Sequence, residues 1–508
     1  MTPVARYAAV RETHSAVVVL LGDRALKVKE PVDLGFLDFR SRAQRQAACR
    51  REVVLNRRLA PDVYLGVASV RGIDGIDGID GIDRIDGIAG VGGVSAVDGE
   101  PVVVMRRMPD ERRLTTLVRS GQPLDDVVVH LARMMAALHS ASRRSPEISA
   151  QGRRDALRSR WRASLRQARP FHGGVLDREA ANEIERLVEG FLAGREALFE
   201  RRVAAGRIVD GHGDLICDDI FCLPDGPRVL DCLEFDDSLR YVDGLDDIAF
   251  LAMDLEYLGA QELAGLLVDR YAEYVGDPVP PALLQHYLAY RAFVRAKINC
   301  LKYSQGDVSA RDAARSYAAL ALRHLRAGQV RLILVGGLPA AGKSAVAGLL
   351  ADRLGAVLLS SDHLRKEMAG ISPLAPATGV YRRGRYDEGH TARTYEELLH
   401  RADELLGVGE TVVLDASWTH ARLRALAADC AARAHAEFVG VECCAPSSLR
   451  RARLVARSED ASDADPQVAD RMAVDADPWP DAIRVSSATG AGAALAELVP
   501  HLDLPAAG

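Results

Sequence analysis

Residues 331–344, RLILVGGLPAAGKS, carry an apolar stretch directly into Gly337-x-x-x-x-Gly342-Lys343-Ser344, and KSAVAGLLADRLG continues at helical spacing. A strand, a glycine-rich turn and a helix in that order are the context a phosphate-binding loop needs. The glycines let backbone N–H groups close around phosphates, and the helix N-terminus adds positive potential. The run Gly337, Leu338, Pro339, Ala340, Ala341, Gly342, Lys343 and Ser344 is therefore expected to cradle a nucleotide. Lys343 is placed to reach the β- and γ-phosphates and Ser344 to hold Mg2+.

The residues that follow keep the pattern: strand AVLLSSD, two helices, strand TVVLDA, a helix, strand FVGVECCA and a further helix. Strands alternating with helices give a parallel sheet covered on both faces. Asp362 stands at the carboxyl end of the next strand, where ligands of open α/β sheets bind. A carboxylate there can accept the proton of an attacking hydroxyl; it can equally cap the helix it opens, and the two roles are compatible. Asp415 ends TVVLD, as an acid that orients Mg2+ or as a strand-end turn residue. Arg450, Arg453 and Arg457 share one helical face that can close on a transferred phosphoryl group or stay solvated. Together, GLPAAGKS, SSDHLRK, VLDASW and the arginine-rich segment before SDAD resemble the small P-loop kinases related to polynucleotide kinase and zeta toxin, over about 331–475. The resemblance implies phosphoryl transfer from ATP to a hydroxyl, with Asp362 as base and Arg365 helping to place the acceptor.

A second phosphate-handling pattern lies upstream in GHGDLICDDIFCL, Gly211 to Leu223. Kinase-like catalytic loops need an Asp to orient the acceptor hydroxyl, a metal ligand five residues later, and a second metal Asp after a β-hairpin. Asp214, Asp219 and Asp231 have that spacing. Lys27, on the strand RALKVK, and Glu52, on the next helix, are placed as the pair that grips the α- and β-phosphates. Strand alternation points Lys29 the same way as Lys27, so the spacing alone does not choose between them. His212 is expected to pack and bond to backbone, and Asp243, Asp246 and Asp247 to cap a helix and brace the loop.

These residues resemble the aminoglycoside phosphotransferase family, an offshoot of the protein-kinase fold, over about 10–325. HGD, VLDCLEF and DGLDDIAFLAMDLE carry the resemblance. It implies a sheet-plus-helix N-lobe, a helical C-lobe and Mg-ATP as donor. The order of the two modules is also similar to bacterial proteins described as fused phosphotransferase/ATP-binding proteins. The chain departs from the family pattern at Asp219, where Asn is usual. An Asp still ligates Mg2+, but it adds charge beside Asp218 and Asp231.

The expected architecture is thus an α+β bilobal kinase-like domain over 1–327 followed by an α/β P-loop domain with a parallel sheet over 328–508. Within the first, 72–93 is an Ile-Asp-Gly repeat of period three, expected as a solvated hairpin loop. With 508 residues the chain is too long for one core. The net charge is −6, and residues 331–508 hold 19 Lys and Arg against 24 Asp and Glu, so neither half offers the basic groove that strand binding favours. Eight cysteines form no C-x-x-C pair and read as reduced thiols in a cytoplasmic protein. No apolar run approaches 18 residues, and no signal peptide is visible. The expected partner is a small hydroxylated metabolite: a sugar, aminosugar, nucleoside or aminoglycoside. A nucleotide-dependent regulatory protein with one inactive module and a nucleic-acid end kinase are the alternatives.

Overall fold

A computed structural model describes residues 8–12, 16–33, 38–70, 99–370, 388–456 and 466–502. The Ile-Asp-Gly repeat and Arg457 lie outside the described residues. The chain divides into two compact units, one of residues 1–152 with 202–279 and one of 153–201 with 280–508.

In the first unit, β1 (Ala8–Glu12), β2 (Ala16–Leu21), β3 (Arg24–Lys29), β4 (Tyr64–Val70) and β5 (Glu100–Arg106) form an antiparallel sheet in the order β1-β2-β3-β5-β4. Side chains on β3 alternate, so Ala25, Lys27 and Lys29 share the buried face. Helix Arg42–Asn56 starts at a capping box, in which Ser41 and Gln44 satisfy each other's backbone N–H. It buries Cys49, Glu52, Val53 and Asn56, and Cys49 and Val53 join Leu20, Val63, Tyr64 and Val103 in one apolar cluster. This arrangement sets Glu52 beneath β3. Beyond the sheet come helices Asp125–Ala141, Gly244–Tyr257 and Gln261–Val275, with the pair β6 (Ile208–Asp210) and β9 (Tyr241–Asp243) and the hairpin β7 (Ile220–Leu223)–β8 (Gly226–Val229). Helix Gly244–Tyr257 is buried along nearly its whole length, which explains its continuous apolar character. This α+β unit has the make-up of a kinase-like fold.

The second unit contains helices Arg154–Ala168, Arg178–Gly194, Pro281–Ser304 and Ala310–Ala327, centred on the buried Trp161 against His286, Tyr290 and Phe293. The spacing of residues 177–203 predicts one helix; the structure breaks it after Gly194 and resumes at Glu196. The unit also contains a five-stranded parallel sheet: β10 (Arg331–Gly336), β11 (Val357–Ser360), β12 (Val412–Asp415), β13 (Glu437–Cys444) and β14 (Ile483–Ser486), in the order β11-β12-β10-β13-β14. All six residues of the central β10 are buried, as a strand covered on both faces requires. The strand β14, with the short sequence IRVS, is absent from the pattern read in the sequence. Helices Lys343–Leu354 and Ala491–Leu498 close one face around Val346, Leu350, Ala494 and Leu498. Among the described residues no helix is long and apolar enough to cross a membrane.

Candidate active sites

The HGD loop of the first unit leaves β6 and turns sharply. Gly213 has φ +85°, and a Cβ on Gly211 would meet the Asp247 carboxylate at 2.4 Å, so both positions require glycine. Asp247, fully buried on helix Gly244–Tyr257, accepts from the backbone N–H of His212 at 2.6 Å and of Gly213 at 2.9 Å, and contacts His139 Nε2 at 3.0 Å. Burial works against this carboxylate, but His139, His212 and the loop N–H groups outweigh it and hold Asp247 well below the usual carboxylate range. The Asp243 side chain caps the same helix, accepting from Leu245 N–H, and pairs with Arg202. His212 is buried, with Nε2 3.1 Å from the Leu230 carbonyl.

Asp247→Asn keeps the size of the side chain but removes the charge and one acceptor. A loss of about 2–3 kcal/mol of stability is expected, since buried donors are left poorly satisfied. The sign with pH follows from the depressed carboxyl. The contribution of Asp247 is full above the unfolded value near 3.9 and is lost as pH falls through the folded one. Urea unfolding at pH 7 and at about pH 2.5, below the unfolded value, checks both, and the difference between wild type and variant should shrink at the lower pH.

Asp214, Asp219 and Asp231 come together beside β3. Asp231 follows β8 with φ +61°, its N–H donating to Tyr64 Oη at 3.1 Å. Next to it, Cys232 N–H donates to Asn56 Oδ1 at 2.9 Å, which ties the chain to helix Arg42–Asn56. Lys27 Nζ sits 2.5 Å from Asp231 and 3.0 Å from Glu52. Lys29 Nζ is 2.7 Å from Glu52 and pairs with Glu234. Burial opposes both ammonium charges, but the acids around them raise both lysines. Enclosure pushes Asp231 up, yet Lys27 holds it below its ordinary value. Asp219 goes the other way: burial, then the charges of Asp231 and Asp214, push its carboxyl well above the ordinary range.

Glu234 and Tyr64 were not singled out by motif spacing. Glu234 stands three residues after Asp231 in LDCLEF, and only the bend at Asp231 brings it to Lys29. Lys29 is sealed between two glutamates, whereas Lys27 faces the acid cluster.

In the second unit the loop Gly337–Ser344 follows β10 at the carboxyl end of the sheet. Gly337 (φ +132°), Ala340 (φ +59°) and Gly342 (φ +85°) shape it. A Cβ on Gly337 would meet the Cys443 carbonyl oxygen at 2.5 Å. Lys343 is half-buried and donates to the Leu338 carbonyl at 3.3 Å, while Ser344 is exposed. Asp415 ends β12 opposite Val335 of β10; it is buried, and its Oδ1 has no hydrogen-bond partner. Asp362 lies in the first turn of helix Ser361–Met368, whose N-cap position is Ser360, and is 3.4 Å from Arg365.

Arg453, on helix Ser447–Ala456, donates to the Ala340 carbonyl at 3.2 Å and the Ser487 carbonyl at 2.9 Å. Ser487 Oγ donates to Ala341 O at 2.6 Å. Arg450 lies on the same helix, half-buried. A cavity of about 390 Å3 opens here, lined by Ala340, Gly342, Arg453, Ser487 and Gly490. Nothing in the motif spacing pointed to Ser487, which follows the unpredicted β14. Among the described residues, no three His, Cys, Asp or Glu side chains form a ready-made metal-binding group. The unfilled Asp415 oxygen and the mutual repulsion around Asp219 nevertheless both suit a divalent cation.

A family model described as an AAA domain matches residues 332–478. The uncharacterized protein Rv2004c of Mycobacterium tuberculosis is 40% identical over 479 residues, spanning 94% of this chain and 92% of that one. The uncharacterized protein Mb2027c of Mycobacterium bovis matches to the same extent. The chain belongs to the family of these mycobacterial proteins. Among solved structures, a choline/ethanolamine kinase family protein from Mesorhizobium loti is 14% identical, covering 64% of this chain and 94% of that one, with a TM-score of 0.38. A gluconokinase from Sinorhizobium meliloti is 16% identical, covering 34% of this chain and 92% of that one, with a TM-score of 0.26.

Proposed function

We propose that the protein is a cytoplasmic ATP-dependent phosphotransferase that phosphorylates a hydroxyl of a small metabolite, of the sugar, aminosugar, nucleoside or aminoglycoside class. Its modules, 1–327 and 328–508, each carry their own nucleotide grip. The observation that carries the reading is the loop Gly337–Ser344, held by Arg453 and Ser487 at the carboxyl end of β10, with Asp415 ending the neighbouring strand. A glycine-shaped loop that opens directly into a helix N-terminus and a lysine bonded to a neutral carbonyl suit a polyphosphate. The cavity beside Gly342 and Ser487 suits the rest of the nucleotide. Asp362 takes the proton of the acceptor hydroxyl, Arg365, 3.4 Å away, orients Asp362, and Arg450 and Arg453 offset charge on the phosphoryl group. Arg457 is proposed to join them.

In the first module Lys27, paired with Glu52, grips the phosphates, and Lys29 is structural. Asp214 is the base. Mg2+, held by Asp219 and Asp231 in one module and by Ser344 and Asp415 in the other, would neutralise phosphate charge. ATP consumption against a panel of sugars, nucleosides and aminoglycosides tests the reading. No acceptor-stimulated turnover from either module would refute it.

Asp219→Asn bears on the same cluster. The folded state favours protonated Asp219, so this carboxyl weakens folding increasingly as pH rises from about 3.9 towards the folded value. The Asn variant should raise the metal-free melting midpoint by roughly 2–4 °C, as ~1 kcal/mol does in a domain of 150–250 residues. The gain should be larger at pH 8 than at pH 5, and Mg2+ should stabilise the variant less than wild type.

A further inference from the structure

A cavity of about 350 Å3 lies within the second unit, at the opposite end of the parallel sheet from the phosphate loop. Helices Arg178–Gly194, Pro281–Ser304 and Ala310–Ala327 supply one wall, and Val330, His435 and Glu437, at the leading ends of β10 and β13, supply the other. Its lining includes Arg195, a fully buried cation. Arg195 Nη1 donates to the carbonyls of Gly194 at 2.9 Å and Ala434 at 2.6 Å, and Nε has no hydrogen-bond partner. Among the described residues no carboxylate lies within ion-pairing distance of it. Burial pushes its guanidinium down to about 10, so it remains charged at neutral pH. Buried charges are normally paired, and this one has only neutral oxygens.

His286, on the same lining, is a second donor without an acceptor. Its Nε2 accepts from Trp161 Nε1 at 3.0 Å, so in the neutral ring the proton sits on Nδ1, which is buried and unpartnered. Burial lowers this histidine to about 3, which keeps the ring neutral. Phe191 links the two donors: its ring stacks on His286 at 4.2 Å, and the Arg195 guanidinium lies 5.8 Å from the ring centre. The acid in the lining, Glu437, is already paired with Arg331 at 2.7 Å. Gly190 interrupts the interior of helix Arg178–Gly194, where glycine is unfavourable, and a Cβ there would meet nothing within 4 Å. A larger residue at this position would enter open space on the cavity wall.

We infer that this cavity binds a small organic anion, its carboxylate or phosphate held by Arg195 and His286 and its apolar part against Phe191, as an effector site separate from the nucleotide sites. A guanidinium takes either acid group, and a volume near the lower end of ligand pockets, about 300–1,000 Å3, limits the size.

The test is thermal unfolding of the full chain in a Lys343→Ala background, which removes phosphate binding at the P-loop, with benzoate, phenyl phosphate and inorganic phosphate as probes. Benzoate or phenyl phosphate is expected to raise the midpoint saturably, as a ligand of the folded state alone must. Which of the two acts at lower concentration identifies the acid group. Arg195→Gln and Gly190→Leu should each weaken that response at least tenfold. With Lys343 intact, both should leave the half-saturating Mg-ATP concentration within twofold. Gly190→Leu keeps the test decisive if Arg195→Gln does not fold. No response to any probe, a response that survives Gly190→Leu, or inorganic phosphate matching phenyl phosphate would overturn the inference.

Discussion

Lys343→Ala in the full chain is expected to abolish one of two Mg-ATP binding events, with a loss of about 2–5 kcal/mol at that site, or roughly 30- to 5,000-fold in affinity. The size follows from the environment. Lys343 opens the helix after the phosphate loop, is half-buried, and donates to the neutral carbonyl of Leu338. Its charge can therefore pass to a phosphate without an acid partner being broken first. The loop itself should persist, because Arg453 and Ser487 hold the carbonyls of Ala340 and Ala341 independently of the lysine. Isothermal titration checks the affinity and a coupled assay the turnover. If neither changes, the P-loop is not a nucleotide site.

The second large effect is expected at Asp214. In the Lys343→Ala background only the kinase-like module can report. Asp214→Asn there should lower turnover by ~10²–10⁴, the usual contribution of a positioned base, with Mg-ATP affinity little changed. Asp231→Ala should do the reverse and weaken Mg-ATP binding, because it removes both a proposed metal ligand and the partner of Lys27. Two variants with opposite signatures separate a base from a ligand. If the background protein binds no nucleotide at all before either change, the kinase-like module is inactive and the P-loop module carries the chemistry.

What the sequence disclosed followed from how local each signal is. The phosphate loop is one strand, one turn and one helix, so its residues arrive together and are readable together. The lysine on β3 was narrowed to two positions by period-two alternation. Which of them faces the acid cluster depended on the bend at Asp231, a φ value that no residue preference announces. Glu234 was missed for the same reason. Ser487 and Arg453 meet the phosphate loop from more than a hundred residues away, and β14 is too short and too polar to stand out from the segments around it. The buried Arg195 was invisible in principle: an arginine in FLAGREALFERR reads as a surface charge until Ala434 is folded against it. Asp247 was legible as a bracing acid, though not as the group that holds two loop N–H groups and a histidine at once.

The edge strand β14 and helix Ala491–Leu498 have a consequence for how the protein is made. The apolar face under the phosphate-loop helix contains Val485, Ala494, Leu498 and Leu502, all of which leave the ribosome long after Val346 and Leu350. At about 5–20 residues per second, the roughly 160 residues between Ser344 and Leu502 take on the order of 10–30 s to appear. Throughout that interval the nascent P-loop strand and helix expose the surface that those late residues cover, and Ala341 lacks its Ser487 donor. The first unit, whose last residue is 279, is fully synthesised well before then. A growing chain therefore passes through a stage in which its first unit is complete while the P-loop helix still exposes the apolar face that Val485, Ala494, Leu498 and Leu502 will cover.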